Sequence, residues 1–464
     1  MKASFRRTGS IVALAAISGC VSKNPTIPDT QSVLPPDSAF SLAQPEGNQS
    51  RVPSFQSFFQ EEELHSLLYT AVTQNADWKV HLAKIDLARA EAGYSTAGAL
   101  PSAQTSLGWR RGKEKNRETS FLEEDLPEWK ASGLVSWEFD LWGKWKAIRK
   151  SAVEKIRASK NMARAAEIAL VHEVADAWYV LRFHQEDLRI LEKSLDSQDS
   201  ILRLYRQRFE AGLENNVTIA RQETRRTELV LEQNRLSKNL RLSALRIQRL
   251  VGKPLTKTEQ PTEILSQASI PEPPPTLPSK ALGQRPDLRA AQARLRAELH
   301  LEKGARLNLF PSIGFKLTGL SMTNSLSDPS ERWEAAIGPF LDIPLWSPDR
   351  IRKTRVAKAK VELMEAEWKA LIVRAVEEVE GAALSFAMTK KELGLAEKVV
   401  DQADRVLSVT KEKLATGLVS QLELLDDEKR LFEAERKALT VRLETFQAAL
   451  ALSKSLGCAL EKAR

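Results

Sequence analysis

The chain has 464 residues, 42% of them hydrophobic and 28% charged, and its basic residues exceed its acidic ones by 69 − 61 = 8. This composition excludes a disordered tail, and the length indicates two domains or one elongated, repeated body. Both signs of charge are interspersed along the sequence, which argues against a nucleic-acid-binding protein. Two cysteines and five scattered histidines predict neither a disulfide framework nor a bound metal or other cofactor.

The N-terminus has the layout of a bacterial secretory signal, with Lys2, Arg6 and Arg7 before an apolar run at 11–17. The residues that follow, Ile17-Ser18-Gly19-Cys20, resemble a lipobox, which predicts that 1–19 are removed and that Cys20 becomes a lipoprotein N-terminus carrying acyl chains such as palmitate. An ordinary signal peptide that contains a cysteine is the alternative. Residues 20–58 are then a lipidated extension, and no later stretch is apolar over the ~18 residues of a membrane helix.

The remainder of the chain repeats itself at an offset of 204 to 210 residues. The matching pairs are Asn75-Ala76-Asp77 with Arg285-Pro286-Asp287, Leu100-Pro101 with Phe310-Pro311, Leu141-Trp142 with Leu345-Trp346, and Gly212-Leu213 with Gly417-Leu418. Each half reads as helix, strand, strand, very long helix, Gly-Leu turn and long helix. We therefore predict a first repeat at 59–252, a proline-rich linker at 253–282, a second repeat at 283–457 and a tail at 458–464.

The long helices carry seven-residue patterns. Between 143 and 209 there is no proline and no glycine after the first residue, and apolar residues recur every seven positions at Val174, Leu181, Leu188, Leu195, Leu202 and Phe209. A second such seam follows Leu425, Phe432, Leu439 and Phe446. These patterns predict coiled coils, and periodicity alone would favour a simple coiled-coil rod.

Two short segments instead alternate between apolar and polar residues, which predicts strands with one apolar face. Their apolar residues are Val135, Trp137, Phe139 and Leu141 in the first and Ile313, Phe315 and Leu317 in the second. The partner strands are predicted at 105–110 and 333–345, the second weakened by Pro339 and Pro344. Strands of about ten residues are long enough to cross a bilayer. Because four strands cannot close a barrel, several chains would have to share one.

With these features the chain resembles the TolC-like outer-membrane factor family, in its lipoprotein branch from tripartite efflux systems. The residues that carry the resemblance are Arg285 to Ala297, Phe310-Pro311-Ser312-Ile313, Ser136 to Gly143, and Gly338-Pro339-Phe340. The resemblance implies a mainly α fold with membrane β-structure. In it, a homotrimer forms a periplasmic α-barrel of coiled-coil helices and a 12-stranded outer-membrane β-barrel with four strands from each chain. It also implies an equatorial region built from the linker and the chain ends.

The resemblance assigns roles to two places. Gly212-Leu213 and Gly417-Leu418 match the hairpin tips that dock onto an adaptor protein, although each glycine could simply end a helix. Leu422, Glu423 and Asp426 match positions that constrict the periplasmic entrance, although acids near a helix N-terminus are more often solvated. Because Asp427 follows Asp426, the sequence leaves open which carboxylate points inward.

The function implied is a passive exit duct for drugs, toxic compounds or metals across the outer membrane, lipid-anchored there and extending into the periplasm. Its partners would be a periplasmic adaptor, an inner-membrane pump and outer-membrane lipid. A duct for type I protein secretion and a lipid-anchored periplasmic coiled-coil scaffold or adaptor are the alternatives. No nucleophile, base and orienting group occur at an informative spacing, so no enzyme is predicted.

Overall fold

A computed structural model describes residues 53–111, 127–254, 263–272, 282–323 and 332–461. The predicted signal peptide, Cys20 and most of the N-terminal extension lie outside these ranges, as do most of the linker and the last three residues. The proposed domain boundaries therefore remain predictions.

The described residues form eight α-helices and four strands, and one order of elements occurs twice. Two helices, α1 (Phe55–Phe58) and α2 (Glu62–Gln74), come first. Then follow α3 (Ala76–Thr96), β1 (Ser102–Arg111), β2 (Pro127–Glu138), α4 (Lys144–Glu210) and α5 (Asn216–Val251). The second series is α6 (Pro286–Leu307), β3 (Ser312–Thr323), β4 (Arg332–Asp342), α7 (Pro348–Ala415) and α8 (Gln421–Ser455).

The four strands form one antiparallel sheet in the order β1-β2-β3-β4. The predicted partner strand at 333–345 is shorter than expected, because β4 ends at Asp342 and Pro344 lies beyond it. Pro339 stays inside β4, opposite Phe315. An edge strand tolerates proline, because only one of its sides pairs within the sheet.

The chain divides into two compact units. The described part of the first holds the sheet together with residues 91–111, 127–155, 292–323 and 332–366. The second holds the rest of the helices, and its core contains Val174, Trp178 and Leu181 of α4 with Phe446 of α8, all at most 2% exposed. Thus the central coiled-coil positions seen in the sequence form a packed helical core, whereas Phe209, at the end of the first seam, is 44% exposed.

The apolar core of this second unit also includes residues near the first and last described positions. Phe55 of α1 is fully buried and its backbone N–H donates to the carbonyl of Ala459 at 2.9 Å. Leu64 and Leu68 of α2 are buried in the same cluster. Across the described helices, no segment is long and apolar enough to span a membrane.

Candidate functional site

The two hairpin turns have the same backbone geometry. Gly212 and Gly417 adopt φ values of +71° and +75°, in the left-handed region. In the first turn the N–H of Leu213 donates to the carbonyl of Arg208 at 2.8 Å; in the second the N–H of Leu418 donates to that of Lys413 at 2.9 Å. This pair of Schellman-type ends explains the glycines as helix terminators.

The residues after each glycine expose an apolar side chain. Leu213 is 68% exposed and Leu418 is 76% exposed. The next helices begin at side-chain caps, since Asn215 Oδ1 accepts from the Thr218 N–H at 2.9 Å and Ser420 Oγ accepts from the Glu423 N–H at 3.3 Å. Each turn is therefore bounded by hydrogen bonds on both sides and presents a leucine to the outside of the chain.

The three neighbouring acids at the start of α8, Glu423, Asp426 and Asp427, differ in their exposure. Glu423 and Asp426 are exposed, and Leu422 is half-buried on the same helical face as Asp426. Asp427 instead points into the chain, where its side chain is 9% exposed and accepts a hydrogen bond from Thr410 Oγ1 at 2.7 Å. Of the two adjacent aspartates, only Asp426 is accessible from outside the chain.

Asp426 is held by one basic side chain. Arg430 Nη2 lies 2.9 Å from Asp426 Oδ2, one helical turn away, and Arg430 Nη1 lies 3.5 Å from Asp427 Oδ1. Because Arg430 is itself 69% exposed, this pairing is weak and leaves Asp426 able to exchange partners.

An ion-pair cluster that sequence reasoning missed joins the two helical hairpins. Arg436 of α8 donates to both carboxylate oxygens of Asp187 on α4, at 2.5 and 3.2 Å, and to Glu232 of α5 at 2.7 Å. Burial alone would lower the pKa of Arg436, but its hydrogen bonds to the two acids raise it above the ordinary value. The side chain therefore stays charged and links three helices. No sequence signal identified it, because the three residues lie on three different helices whose packing the sequence does not show.

Two arginines bind the linker to the helices. Arg182 of α4 donates to the carbonyls of Glu263 and Ile264, each at 3.0 Å, and Arg442 of α8 donates to those of Leu265 and Ala268 at 3.0 and 2.7 Å. The described part of the linker thus crosses from α4 to α8. In the described ranges there is no group of three or more His, Cys, Asp or Glu placed to hold a metal ion.

Comparison with known proteins decides the family. The model for outer membrane efflux proteins matches residues 67–253 and 277–458. The chain belongs to the outer membrane efflux protein family. This places it in the outer membrane, and the predicted family and the predicted combination of long helices with four strands are both confirmed.

Relatives of this outer membrane efflux protein match over almost its whole length. It is 26% identical to the pyoverdine export outer membrane protein OpmQ of Pseudomonas aeruginosa, over 97% of this chain and 96% of that one. It is 23% identical to the solvent efflux pump outer membrane protein SrpC of Pseudomonas putida, over 96% of each. The fold is similar to that of the Campylobacter jejuni CmeC outer membrane channel, with a TM-score of 0.80 at 19% identity over 96% of each chain. Family and fold are those of channel proteins.

Proposed function

We propose that the protein is the outer-membrane duct of a tripartite efflux system for small molecules, working as a homotrimer. The observation that carries this proposal is the sheet. One of its faces exposes large apolar side chains in all four strands, among them Leu107, Val135, Leu317 and Ile337. The opposite face is more polar, with serines, a threonine and lysines beside the less exposed Leu134, Leu320, Met322 and Phe340. Such a sheet suits lipid on one side and water on the other.

The sheet also has two open edges. Within the described residues, β1 and β4 each pair on one side only. Because unpaired backbone groups are costly in lipid, further copies of the chain must complete the sheet, and three copies supply twelve strands. The channel fold of the structural neighbours supports this assembly.

The remaining parts of the system follow from the family. A passive duct needs an inner-membrane pump as its energy source and an adaptor to join the two, and we assign adaptor docking to Gly212-Leu213 and Gly417-Leu418. Cys20 would carry the lipid anchor. Relatives named for pyoverdine export and solvent efflux support a small-molecule substrate.

The start of α8 is proposed to constrict the periplasmic entrance. Threefold symmetry would bring three copies of Leu422, Glu423 and Asp426 together, so that repulsion or protonation of the acids affects opening. The accessibility of Asp426 and the burial of Asp427 support Asp426 as the pore-facing member of the pair.

Electron microscopy of the detergent-extracted full-length protein, combined with single-channel recording, tests the proposal. We expect a threefold hollow particle and discrete conductance steps. A solid rod, or release from the membrane without detergent once the lipid is removed, would favour the periplasmic scaffold. A conducting trimer that supports export of a protein but not of a small molecule would favour type I secretion.

A further inference from the structure

Two short stretches that each follow a strand are strongly basic. A third basic stretch, at 235–257, holds seven basic side chains and no acidic one, but it follows no strand. Residues 144–157, at the start of α4, contain six basic side chains and one acidic one, and residues 348–361, at the start of α7, contain the same numbers. Together they carry a charge of +10, against +8 for the whole chain, so all other residues sum to −2. We call these two stretches the basic collar.

Sheet topology brings both halves of the collar to the same end of the sheet, where β2 and β4 finish. Each half follows the end of a strand, β2 or β4, and these two strands run parallel because each pairs antiparallel with β3. Between strand and helix stand exposed apolar pairs, with Trp142 41% and Trp346 81% exposed, and Leu141 57% and Leu345 92% exposed. Tryptophan at such positions is typical of the boundary between membrane and water.

Ion pairs within the chain account for only part of the collar. They join Lys144 to Glu138 at 2.6 Å, Arg350 to Asp342 at 3.1 Å and Lys353 to Asp349 at 2.8 Å. Exposed cations of its first turns, namely Lys146, Arg149, Lys150, Arg352 and Arg355, form no ion pair with any residue that the structure describes. Cations are also unfavourable at a helix N-terminus, where the macrodipole is already positive. The two effects reinforce each other and create a positive field that attracts an anion from outside the chain.

The position of the collar identifies the kind of anion. Two helical turns span roughly 10 Å, about one Debye length, so these cations lie within electrostatic reach of a surface at the level of the tryptophans. On α7, Arg350, Arg352, Lys353 and Arg355 point in different directions around the helix axis, so they cannot all face the inside of a duct. Clusters of four to eight basic residues beside a membrane segment are typical of sites for anionic lipid headgroups.

We propose that the basic collar binds the phosphate groups of anionic phospholipids on the periplasmic side of the outer membrane. Leu141-Trp142 and Leu345-Trp346 fix how deep the sheet lies in the membrane. The cations of the collar then bind the lipid headgroups on the periplasmic side of the sheet. This inference depends on the proposed function, because it requires the sheet to lie in lipid.

The test compares two variants of the full-length protein that lose the same charge. The collar variant carries Lys146→Gln, Arg149→Gln, Lys150→Gln, Arg352→Gln and Arg355→Gln. The control variant carries five glutamines for exposed cations of α7 and α8 in the other compact unit, at Arg374, Lys391, Lys398, Arg405 and Lys437. Each protein, delipidated in a neutral detergent, is titrated with dioleoyl-phosphatidylglycerol, with dioleoyl-phosphatidylcholine or with inorganic phosphate, and its thermal unfolding midpoint is recorded.

We expect phosphatidylglycerol, but neither phosphatidylcholine nor inorganic phosphate, to raise the midpoint of the unchanged protein and of the control variant. In the collar variant the apparent affinity for phosphatidylglycerol should fall at least about fivefold. Equal responses to both lipids, or an unchanged affinity in the collar variant, would overturn the proposal. So would an equal shift from inorganic phosphate, which would make the site one for free anions.

Single-channel recording in zwitterionic bilayers separates this proposal from the duct itself. Both variants should conduct as the unchanged protein does. A collar variant that keeps its phosphatidylglycerol affinity while its ion selectivity changes would instead place the cations in the duct, against our inference. If the unchanged protein and both variants show no conductance at all, the proposed function is contradicted, whatever the lipid titrations show.

Discussion

At the scale of single residues, the start of α8 shows what the sequence could and could not predict. The spacing of Leu422 and Asp426 places them on one helical face, and the structure agrees. The sequence could not separate Asp426 from Asp427, because the separation depends on Thr410, which belongs to the preceding helix and lies across the hairpin.

We expect the double substitution Leu422→Ser with Asp426→Ala to increase single-channel conductance, because it removes bulk and charge from the proposed constriction. The adjacent Asp427→Asn serves as the control. It keeps the volume of a side chain that points into the protein, so conductance should not change. If the double variant forms normal trimers with unaltered conductance, these residues do not line the entrance.

His172 on α4 gives the stability of the protein a predictable pH dependence. Its Nε2 lies 3.0 Å from Ser453 Oγ on α8, and burial, with a smaller contribution from the charge of Lys454, lowers its pKa from 6.5 to about 4. Because the pKa is lower in the folded state, the imidazole contributes its full stability above pH 6.5. That contribution is lost as the pH falls toward 4, and the loss amounts to up to about 3 kcal/mol.

The measurement for His172 is the free energy of unfolding at several pH values in detergent, for the unchanged protein and for His172→Leu. The variant should show a smaller loss of stability between pH 6.5 and 4. Lys454, whose charge also lowers the pKa of His172, remains in both proteins and does not affect the comparison. Parallel pH profiles would mean that His172 is accessible to protons in the folded state.

At the scale of elements, sequence patterns predicted most of the secondary structure, because the elements are long and the patterns repeat. The Gly-Leu pairs predicted both hairpin turns. Helices α6 and α7 begin at Pro286 and Pro348, and proline suits the first position of a helix. The ends of the strands were less predictable. Phe139 continues the alternation beyond Glu138, where β2 ends, and its N–H still donates to the carbonyl of Ile313 at 2.8 Å.

The hairpin turns allow stability and docking to be tested separately. Gly212→Ala and Gly417→Ala should each cost about 1 kcal/mol of stability, because a Cβ meets no neighbouring atom within 4 Å but disfavours the left-handed backbone. Leu213→Ser and Leu418→Ser should leave stability unchanged while weakening binding of the cognate adaptor, measured by calorimetry. Full adaptor affinity in the two serine variants together would remove the leucines from the docking surface.

The ion-pair cluster between the hairpins makes a further prediction. Arg436→Met leaves the buried carboxylate of Asp187 without its main partner, and we expect a loss of about 2–3 kcal/mol, less than for a fully buried pair because Arg436 is 28% exposed. Adding Asp187→Asn should restore part of this loss in chemical denaturation. A double variant no more stable than Arg436→Met alone would show that the arginine acts through packing rather than through its charge.

At the scale of the whole molecule, the duplication predicted from the sequence explains why one chain contributes two similar hairpins and two strand pairs. The distribution of charge was misjudged, because the overall balance of +8 concealed a collar of +10 next to the sheet. Interspersed acids and bases describe most of the long helices, although residues 235–249 of α5 hold five basic side chains and no acidic one. The first turns of α4 and α7 are instead mostly basic. Only the topology of the sheet shows that these two stretches lie at the same end of its strands.

The placement of the sheet in lipid can be tested with two adjacent residues. Ile337 lies in the middle of β4, opposite Leu317, and is 76% exposed; Ala336, its neighbour, is exposed on the opposite face. A lysine at 337 would face the hydrocarbon and cost about 2–4 kcal/mol near the midplane, whereas a lysine at 336 would face water. Ile337→Lys should therefore reduce the amount of trimer recovered from outer membranes, and Ala336→Lys should not. The two variants carry the same added charge on the same strand at nearly the same depth. If both are recovered as well as the unchanged protein, neither face of this sheet contacts lipid.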